Sequence, residues 1–531
     1  MTQPYSGSDR NLQVATLVAS VAVTAAVLAA IWSKSAEQVI QTFTHDDTFY
    51  YLETARRAAA GEGFTFDGHT PTNGFHPLWM AMLTLIFRLG DGSRETMLRV
   101  VLSAQAALFL FPSLLLVRAI GRRLLGPFGG MAALALAIGL LPGRQVNGME
   151  SGVLVFTSLL VAWAIIGRGL LHPLAGVRQH LILGALLAIV FLARTDSVFL
   201  LLGTGLAAMA WHAGSTEGAM PARLGRFLIR FSPVVAVVLL LTIPYLAWNL
   251  VRFGHLMPIS GAIKSSLPKL GFTLRYVELV DWAMLAVMLP AGSYALSRLV
   301  RGRGREIDAA AAAFGFYGLF HVVFTILAMR WAVFPWHFHV YPVALIVALV
   351  WAGATLAPVT AALRRGSPAL LAAMGLLLLA GAARAAWALR DRPLRAFYVG
   401  AYQAGRWAAD HLPADARIGM KDAGAFGYFS ERSVSNLDGV ISNYEYQEAL
   451  RAGRLRQWLD ARGVRYLAQH ALWEHPEAES GEYDSLKLAY RSNLYRDAPP
   501  DTLTVARAGE VYRAPTHDAA YGPTHFVIWR R

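Results

Sequence analysis

The sequence predicts a polytopic α-helical membrane protein of about eleven transmembrane helices, followed by a C-terminal extracytoplasmic α/β domain. Three observations carry this. The 531 residues are 55% hydrophobic and only 15% charged, and apolar stretches of about 20 residues recur through the first three quarters, long enough to cross a hydrocarbon core roughly 30 Å thick. Much of the net charge of +14 is arginine in short segments between those stretches: Arg118, Arg122 and Arg123; Arg223 and Arg226; Arg301, Arg303 and Arg305; Arg364 and Arg365. That is the footprint of cytoplasmic loops, not of a nucleic-acid surface. After about residue 390 the apolar runs stop. With no cysteine in the chain, disulfides and thiolate metal sites are excluded.

Hydropathy places segments near 12–32, 76–89, 97–117, 127–142, 147–167, 179–194, 197–212, 228–250, 276–298, 308–329, 336–357 and 367–388. The first is long for a signal-peptide core and lacks a small-x-small cleavage site, so it reads as a retained signal anchor. With 118–126, 168–178, 213–227, 299–307 and 358–366 cytoplasmic, residues 143–146, 194–196, 251–275, 330–335 and the C-terminal domain fall on the far side. One segment breaks this alternation. Fourteen residues at 76–89 reach only about 21 Å as a helix, so 77–88 is expected to be re-entrant or interfacial. Eleven spans remain. The membrane module then covers 1–390, with a first external loop at 33–75, and the soluble domain covers 391–531. The N-terminus is expected inside the cytoplasmic (inner) membrane and the C-terminal domain outside.

The external loop reads THDDTFYYLETARRAAAGEGFTFDGHTPTNGFHPLW from residue 44. Thr44 is a plausible N-cap, and Asp46 and Asp47 fall in a first helical turn, where the helix dipole favours carboxylates. Asp46, Tyr50 and Glu53 share one face at i, i+4, i+7, while Phe49, Leu52 and Ala55 are free to rest on neighbouring helices. Gly61 and Gly63 end the helix, and Asp67-Gly68 and Thr72-Asn73-Gly74 are turn signals. His45, Asn73 and His76 complete an unusual concentration of polar groups at a membrane surface.

This stretch resembles the first external loop of the GT-C superfamily of polyprenyl-phosphate-dependent glycosyltransferases. It is most similar to the branch of mycobacterial cell-wall arabinofuranosyltransferases: an acidic pair opening a juxtamembrane helix, a Gly-x-Gly-Phe segment, and a polar turn leading into an apolar helix. The match covers about 35 residues. Three further stretches agree with it. Gly148-Met149-Glu150-Ser151 resembles the branch's Gly-Met-Glu-Thr element. The segment from Phe253 to Lys264 resembles its FG-x-x-x-P-x-(S/T)…K loop. Arg330 to Pro342, with His337 and His339, occupies the place of a basic-aromatic segment. Those two histidines, at i, i+2, make a poor metal pair on a helix but acceptable phosphate donors if the segment is extended. Arg194-Thr195-Asp196 is a fourth external charge cluster at a span junction.

The resemblance implies inverting transfer of a sugar, arabinofuranose among the options, from a polyprenyl phosphate lying between the spans. The acceptor is a glycan, a lipid-linked molecule or a protein. On that basis Asp46 is expected as general base, supported by Asp47. Lys264, Arg194, His337 and His339 are expected around the donor phosphate, and Glu150, Asn73, His76 and Tyr50 around the substrate. Some family members use a divalent cation (Mg, Mn or Ca) and others do not; Asp46, Asp47 and Glu150 are the oxygen ligands available for one. A second reading is a polytopic transporter or channel with an external ligand-binding domain. The absence of repeats, and of charges at mid-span, weighs against it. A membrane sensor is a third.

The tail suggests an α/β sandwich: helix then turn over 408–417, short strands near Ile418-Gly419-Met420 and after Ala425-Phe426-Gly427-Tyr428, a turn at Asn436-Leu437-Asp438-Gly439-Val440, a helix at 446–462 and a strand at 464–467. No G-x-G-x-x-G fingerprint accompanies it, which argues against a nucleotide site.

Overall fold

Every segment expected from hydropathy is helical in the computed structural model, which describes residues 7–267, 269–275, 277–331, 333–356, 368–391, 393–471, 483–514 and 525–531. The expected loop at 358–366, with Arg364 and Arg365, lies outside the described residues. Among the described residues eight helices are long and apolar enough to cross a membrane, and Val177–Ala193 and Gly375–Leu389 are shorter apolar helices.

The longest, Arg94–Leu140, holds two of the expected spans. Gly126 sits at φ 78° with Pro127 next to it, a pair that cannot continue a right-handed helix. The chain doubles back there. A Cβ on Gly121 would meet the Gly129 carbonyl at 2.5 Å, and one on Gly130 would lie 3.0 Å from Arg122 Cβ. One left-handed residue therefore makes two antiparallel helices where the arginine-bearing turn 118–126 is expected.

The arginine-bearing turns gather at one end of the bundle. Arg123, Arg168 and Glu306 line one recess there, the backbone at Gly214 abuts Leu299 and Val300, and buried Asp308 is held by Arg298, Arg305 and the Trp351 indole. The turns at the other end meet the C-terminal domain. The short helix Pro77–Leu89 has 13 residues, about 20 Å, and both of its flanks lie at this second end. His76 Nε2 is 3.9 Å from Glu150. Arg94 reaches Glu53 at 2.6 Å, and its carbonyl accepts from the Tyr428 hydroxyl of the C-terminal domain. Both ends of the helix thus lie on one side of the bundle.

The C-terminal domain begins with helix Ala396–His411. Its strands are β1 (Arg417–Met420), β2 (Ser433–Asn436), β3 (Tyr466–Ala471), β4 (Ser485–Tyr490), β5 (Asp501–Ala506), β6 (Glu510–Arg513) and β7 (His525–Arg530). Five form a sheet in the order β2-β1-β3-β7-β6, and β4 pairs β5 separately. β1 runs parallel to β2 and β3, and β7 antiparallel to β3 and β6. Residues 425–428 lie in helix Gly424–Phe429, and strand β2 follows as expected. One local expectation is corrected. The helix expected at 446–462 is two, Tyr444–Arg451 and Leu455–Ala461, parted at Gly453 with φ 63°.

The two modules meet tightly at Gly424, where an added Cβ would stand 2.1 Å from the Asp46 carbonyl oxygen. Gly424→Ala is therefore expected to cost about 1–3 kcal/mol of overpacking. The readout is a lower melting temperature in detergent, with faster proteolytic release of the C-terminal domain.

Candidate active site

Helix Ala36–Phe43 ends at Thr44, whose hydroxyl donates to the Ile40 carbonyl at 2.7 Å. The chain is extended at His45 (φ −124°), which caps helix Asp46–Ala59, one residue later than expected. The His45 N–H donates to Thr48 Oγ1 at 3.1 Å. Adjacent residues on a helix point about 100° apart, and the acidic pair divides accordingly. Asp46 faces the C-terminal domain and accepts the Gly424 N–H at 2.9 Å and the Ala425 N–H at 2.8 Å, one on each oxygen. Asp47 lines a cavity of about 400 Å³. Its side chain is 28% exposed, and Oδ2 stands 3.8 Å from Lys264 Nζ.

Burial and the nearby Asp422 raise the pKa of Asp46 well above the usual carboxylate value, against the two N–H donors. Burial also raises Asp47; the Lys264 ammonium pulls it back, while Asp438 and Glu150 add to the rise. Burial and Asp438 push Asp422 up to about 7. His76 is held below its usual value by burial, with Glu150 opposing, so its imidazole is neutral at pH 7.

Glu150 is placed by buried polar contacts. The Gln105 side chain accepts from the N–H groups of Asn147 and Gly148 and donates to the Met149 carbonyl, while Trp79 donates to the Gly148 carbonyl. Oε1 of Glu150 then lies 3.3 Å from Arg194 Nη1, and among the described residues no donor is within hydrogen-bond geometry of the buried Oε2. Arg194 also donates to the Trp336 carbonyl at 2.6 Å and to Asp196 at 3.0 Å. Lys264 closes helix Ile259–Lys264. That segment is tied to the next loop by Arg330 N–H donating to the Lys264 carbonyl and Ser266 N–H to the Ala328 carbonyl.

The cavity has two characters. Asp47, His76, Glu150, Arg194, Lys264 and His337 form its polar end; Phe191, Phe199, Leu246 and Phe324, all on membrane helices, form an apolar wall. Val440 and Ile441 of the C-terminal domain complete the lining, held so close that a Cβ on Gly74 would stand 2.2 Å from the Val440 carbonyl.

Besides Asp46, which lies outside the lining, three residues expected at the site are elsewhere or otherwise engaged. Asn73 is fully buried, donating to Asn249 Oδ1 and accepting from the Ile259 N–H, which fixes the turn rather than meeting a ligand. His339 is buried outside the lining, because Pro335–Phe338 is a 3-10 turn rather than extended chain. Tyr50 lines the cavity, but its hydroxyl donates to Asp438 at 3.1 Å and accepts from Ala423 N–H and Asn436. The three carboxylates expected for a cation also part company, on backbone N–H groups, Lys264 and Arg194 respectively. Among the described residues no group of three or more His, Asp or Glu side chains is arranged to hold a metal ion. Sequence reasoning missed Asp438, Val440 and Ile441. Their only signal was an Asp-Gly turn, which loop chemistry explains equally well.

A family model described as a domain of unknown function (DUF8728) matches residues 390–512. No curated protein matches the sequence. Solved structures do. The archaeal oligosaccharyltransferase AglB from Archaeoglobus fulgidus, in complex with an inhibitory peptide and a dolichol-phosphate, aligns with 92% of this chain and 75% of its own, at 13% identity and a TM-score of 0.51. The oligosaccharyltransferase from Archaeoglobus fulgidus tethered to an acceptor peptide gives 11% identity and 0.50 over the same shares. ArnT from Cupriavidus metallidurans bound to undecaprenyl phosphate gives 16% identity and 0.49 over 92% and 97%. The chain carries the GT-C fold. At these identities the GT-C likeness is one of architecture.

Asp46→Ala would strand the Gly424 and Ala425 N–H groups. A buried donor without an acceptor costs about 1–3 kcal/mol, so the melting temperature in detergent should fall. Asp46→Asn, which keeps one acceptor oxygen, should fall less.

Proposed function

We propose that this GT-C protein is an integral-membrane glycosyltransferase. It moves a sugar from a polyprenyl-phosphate-linked donor to an acceptor on the extracytoplasmic face of the cytoplasmic membrane, with the N-terminus cytoplasmic. The carrying observation is one cavity where a part-exposed carboxylate, Asp47, faces an ammonium, Lys264, at 3.8 Å beside an aromatic wall from the membrane helices. The fold shared with AglB, a protein solved with dolichol-phosphate, supports a lipid phosphate as the occupant.

In this scheme the polyprenyl chain lies along Phe191, Phe199, Leu246 and Phe324, with its phosphate at Lys264 and His337. The acceptor hydroxyl attacks the anomeric carbon from the opposite side. Its oxygen forms the new bond, the carbon–oxygen bond to phosphate breaks, and the bonding pair leaves on the polyprenyl phosphate. The hydroxyl proton passes to Asp47. A single displacement inverts the anomeric carbon. Lys264 neutralises the leaving phosphate, and a pKa raised by burial makes Asp47 a stronger base than an ordinary carboxylate. Asp47 replaces Asp46 in the base role because both oxygens of Asp46 already accept backbone N–H groups. Glu150 Oε2, with no donor in hydrogen-bond geometry among the described residues, is the acceptor available to a sugar hydroxyl. Arabinofuranose remains the sugar the sequence resemblance favours. A glycan, a lipid-linked molecule or a protein serves as acceptor, and the C-terminal domain supplies one wall of its binding site.

Transfer from a polyprenyl-phosphate sugar should fall about 10²–10⁴-fold in Asp47→Asn, while Asp46→Asn keeps most of its turnover. Equal losses in the two variants would remove Asp47 from the base role. A base must be ionised to work, so activity is lost as pH falls through the raised Asp47 pKa. Lys264 holds that value down. Lys264→Met should therefore move the acid limb of the rate profile to higher pH, besides weakening donor binding.

A further inference from the structure

The end of the bundle opposite the cavity carries a second, differently built recess. Helix Ser151–Arg168 starts beside Glu150 and runs 18 residues, about 27 Å, to Gly169 in the left-handed region at φ 60°. Helix Val177–Ala193 then runs back beside it. Between them lies a groove of about 460 Å³ with Leu160, Trp163, Leu170, Ile182 and Leu186 on its walls. Next to it is a polar recess of about 290 Å³, lined by Arg123, Arg168, His172, Gln179 and Glu306. Arg168 and Gln179 line both compartments, and Arg178 sits at the groove.

We propose that this two-part site binds an anionic membrane phospholipid. Its phosphate sits on Arg168 and Arg178, and one acyl chain lies along Leu160, Ile182 and Leu186. Four features support this. The charged groups facing the two compartments are three arginines and one glutamate, a net positive lining that attracts a phosphodiester. Among the described residues no ion pair engages Arg168 or Arg178, so both guanidinium groups are available. The Arg168 guanidinium lies over the Trp163 ring at 5.5 Å, which holds it at the groove by a cation–π contact. Gln179 fixes the turn between the helices, accepting the Gly176 N–H at 2.7 Å and donating to the Arg168 carbonyl at 3.1 Å.

The apolar compartment decides between a lipid and a free anion. Val177, Leu181 and Ile182 are exposed on the same helix, where a membrane protein meets acyl chains, and a free phosphate would leave this groove unused. Basic recesses between helix ends at the cytoplasmic side are suited to lipid headgroups. Here the recess lies with the arginine-bearing turns, far from the proposed reaction. The site is thus independent of the transferase reading. A lipid bound there would brace the turn joining the helices that carry Glu150 and Arg194 at their other ends.

The test uses the purified full chain, stripped of lipid in detergent and incubated with phosphatidylglycerol or phosphatidylcholine, with retained lipid read by native mass spectrometry. Wild type should retain phosphatidylglycerol selectively. The double variant Arg168→Ala/Arg178→Ala should weaken it about 30-fold, roughly fivefold for each arginine. Leu186→Trp, which fills the groove and keeps both charges, should also lose it. Should the double variant fail to fold, Arg178→Glu on the exposed side chain supplies the same reading. Equal retention of both lipids, undiminished phosphatidylglycerol in the arginine variants, or full displacement by an equal concentration of inorganic phosphate would overturn the proposal.

Discussion

The orientation of the acidic pair depends on one interaction: the Asp46 carboxyl group accepting the first backbone N–H groups of helix Gly424–Phe429. A typical intramolecular hydrogen bond is worth about 0.5–1.5 kcal/mol net, and this pair joins the membrane module to the C-terminal domain. Helix geometry does the rest. Once Asp46 is committed to the domain, Asp47 must point about 100° away, into the cavity. Phe49 packs at a tilt against Tyr428 and Phe429, with ring centroids 5.8 and 5.3 Å away. The Tyr50 hydroxyl joins Asp438 and Ala423 of the domain. One turn of helix thus carries both the dock and the carboxylate proposed as the base.

The domain also positions the opposite wall. The Tyr444 hydroxyl donates to the Met257 carbonyl at 2.6 Å, and its ring stacks on His255 at 3.8 Å. Arg496 donates to the carbonyls of Ile263 and Arg330, the backbone that flanks Lys264. Asp47 and Lys264 are far apart in sequence, and both are held by contacts to residues beyond 420. Buried Glu53 anchors the same helix two turns further on, with Arg94, Arg56 and Arg57 within 2.6–2.8 Å. Separating those charges would leave a carboxylate without compensation, so the helix has little freedom to turn its carboxylates elsewhere.

The large-scale fold was legible because membrane constraints are strong. Segments of apolar residues must be helices, and the arginine-bearing turns such as 118–126 set an alternation that singles out Pro77–Leu89 as the helix that breaks it. The acidic pair, the Gly-Met-Glu turn, Arg194 and Lys264 were also readable as a group, and all but Asp46 line one cavity. The division of labour within Asp46-Asp47 was not readable, because it is decided by N–H groups 378 and 379 residues away. His339 failed for a local reason: the Pro335–Phe338 turn is 3-10, which changes the face each histidine presents. Val440 and Ile441 carried no chemical signal, since apolar residues beside an Asp-Gly turn look like any packed loop.

The most direct test of the central claim is a structure of the full chain with a polyprenyl phosphate bound. The account predicts phosphate oxygens about 2.7–2.9 Å from Lys264 Nζ, the isoprenoid chain against Phe191, Phe199 and Phe324, and Asp47 open to the acceptor side with Asp46 still on the Gly424 and Ala425 N–H groups. A phosphate seated away from Lys264, or Asp46 released from the domain and facing the bound lipid, would contradict it.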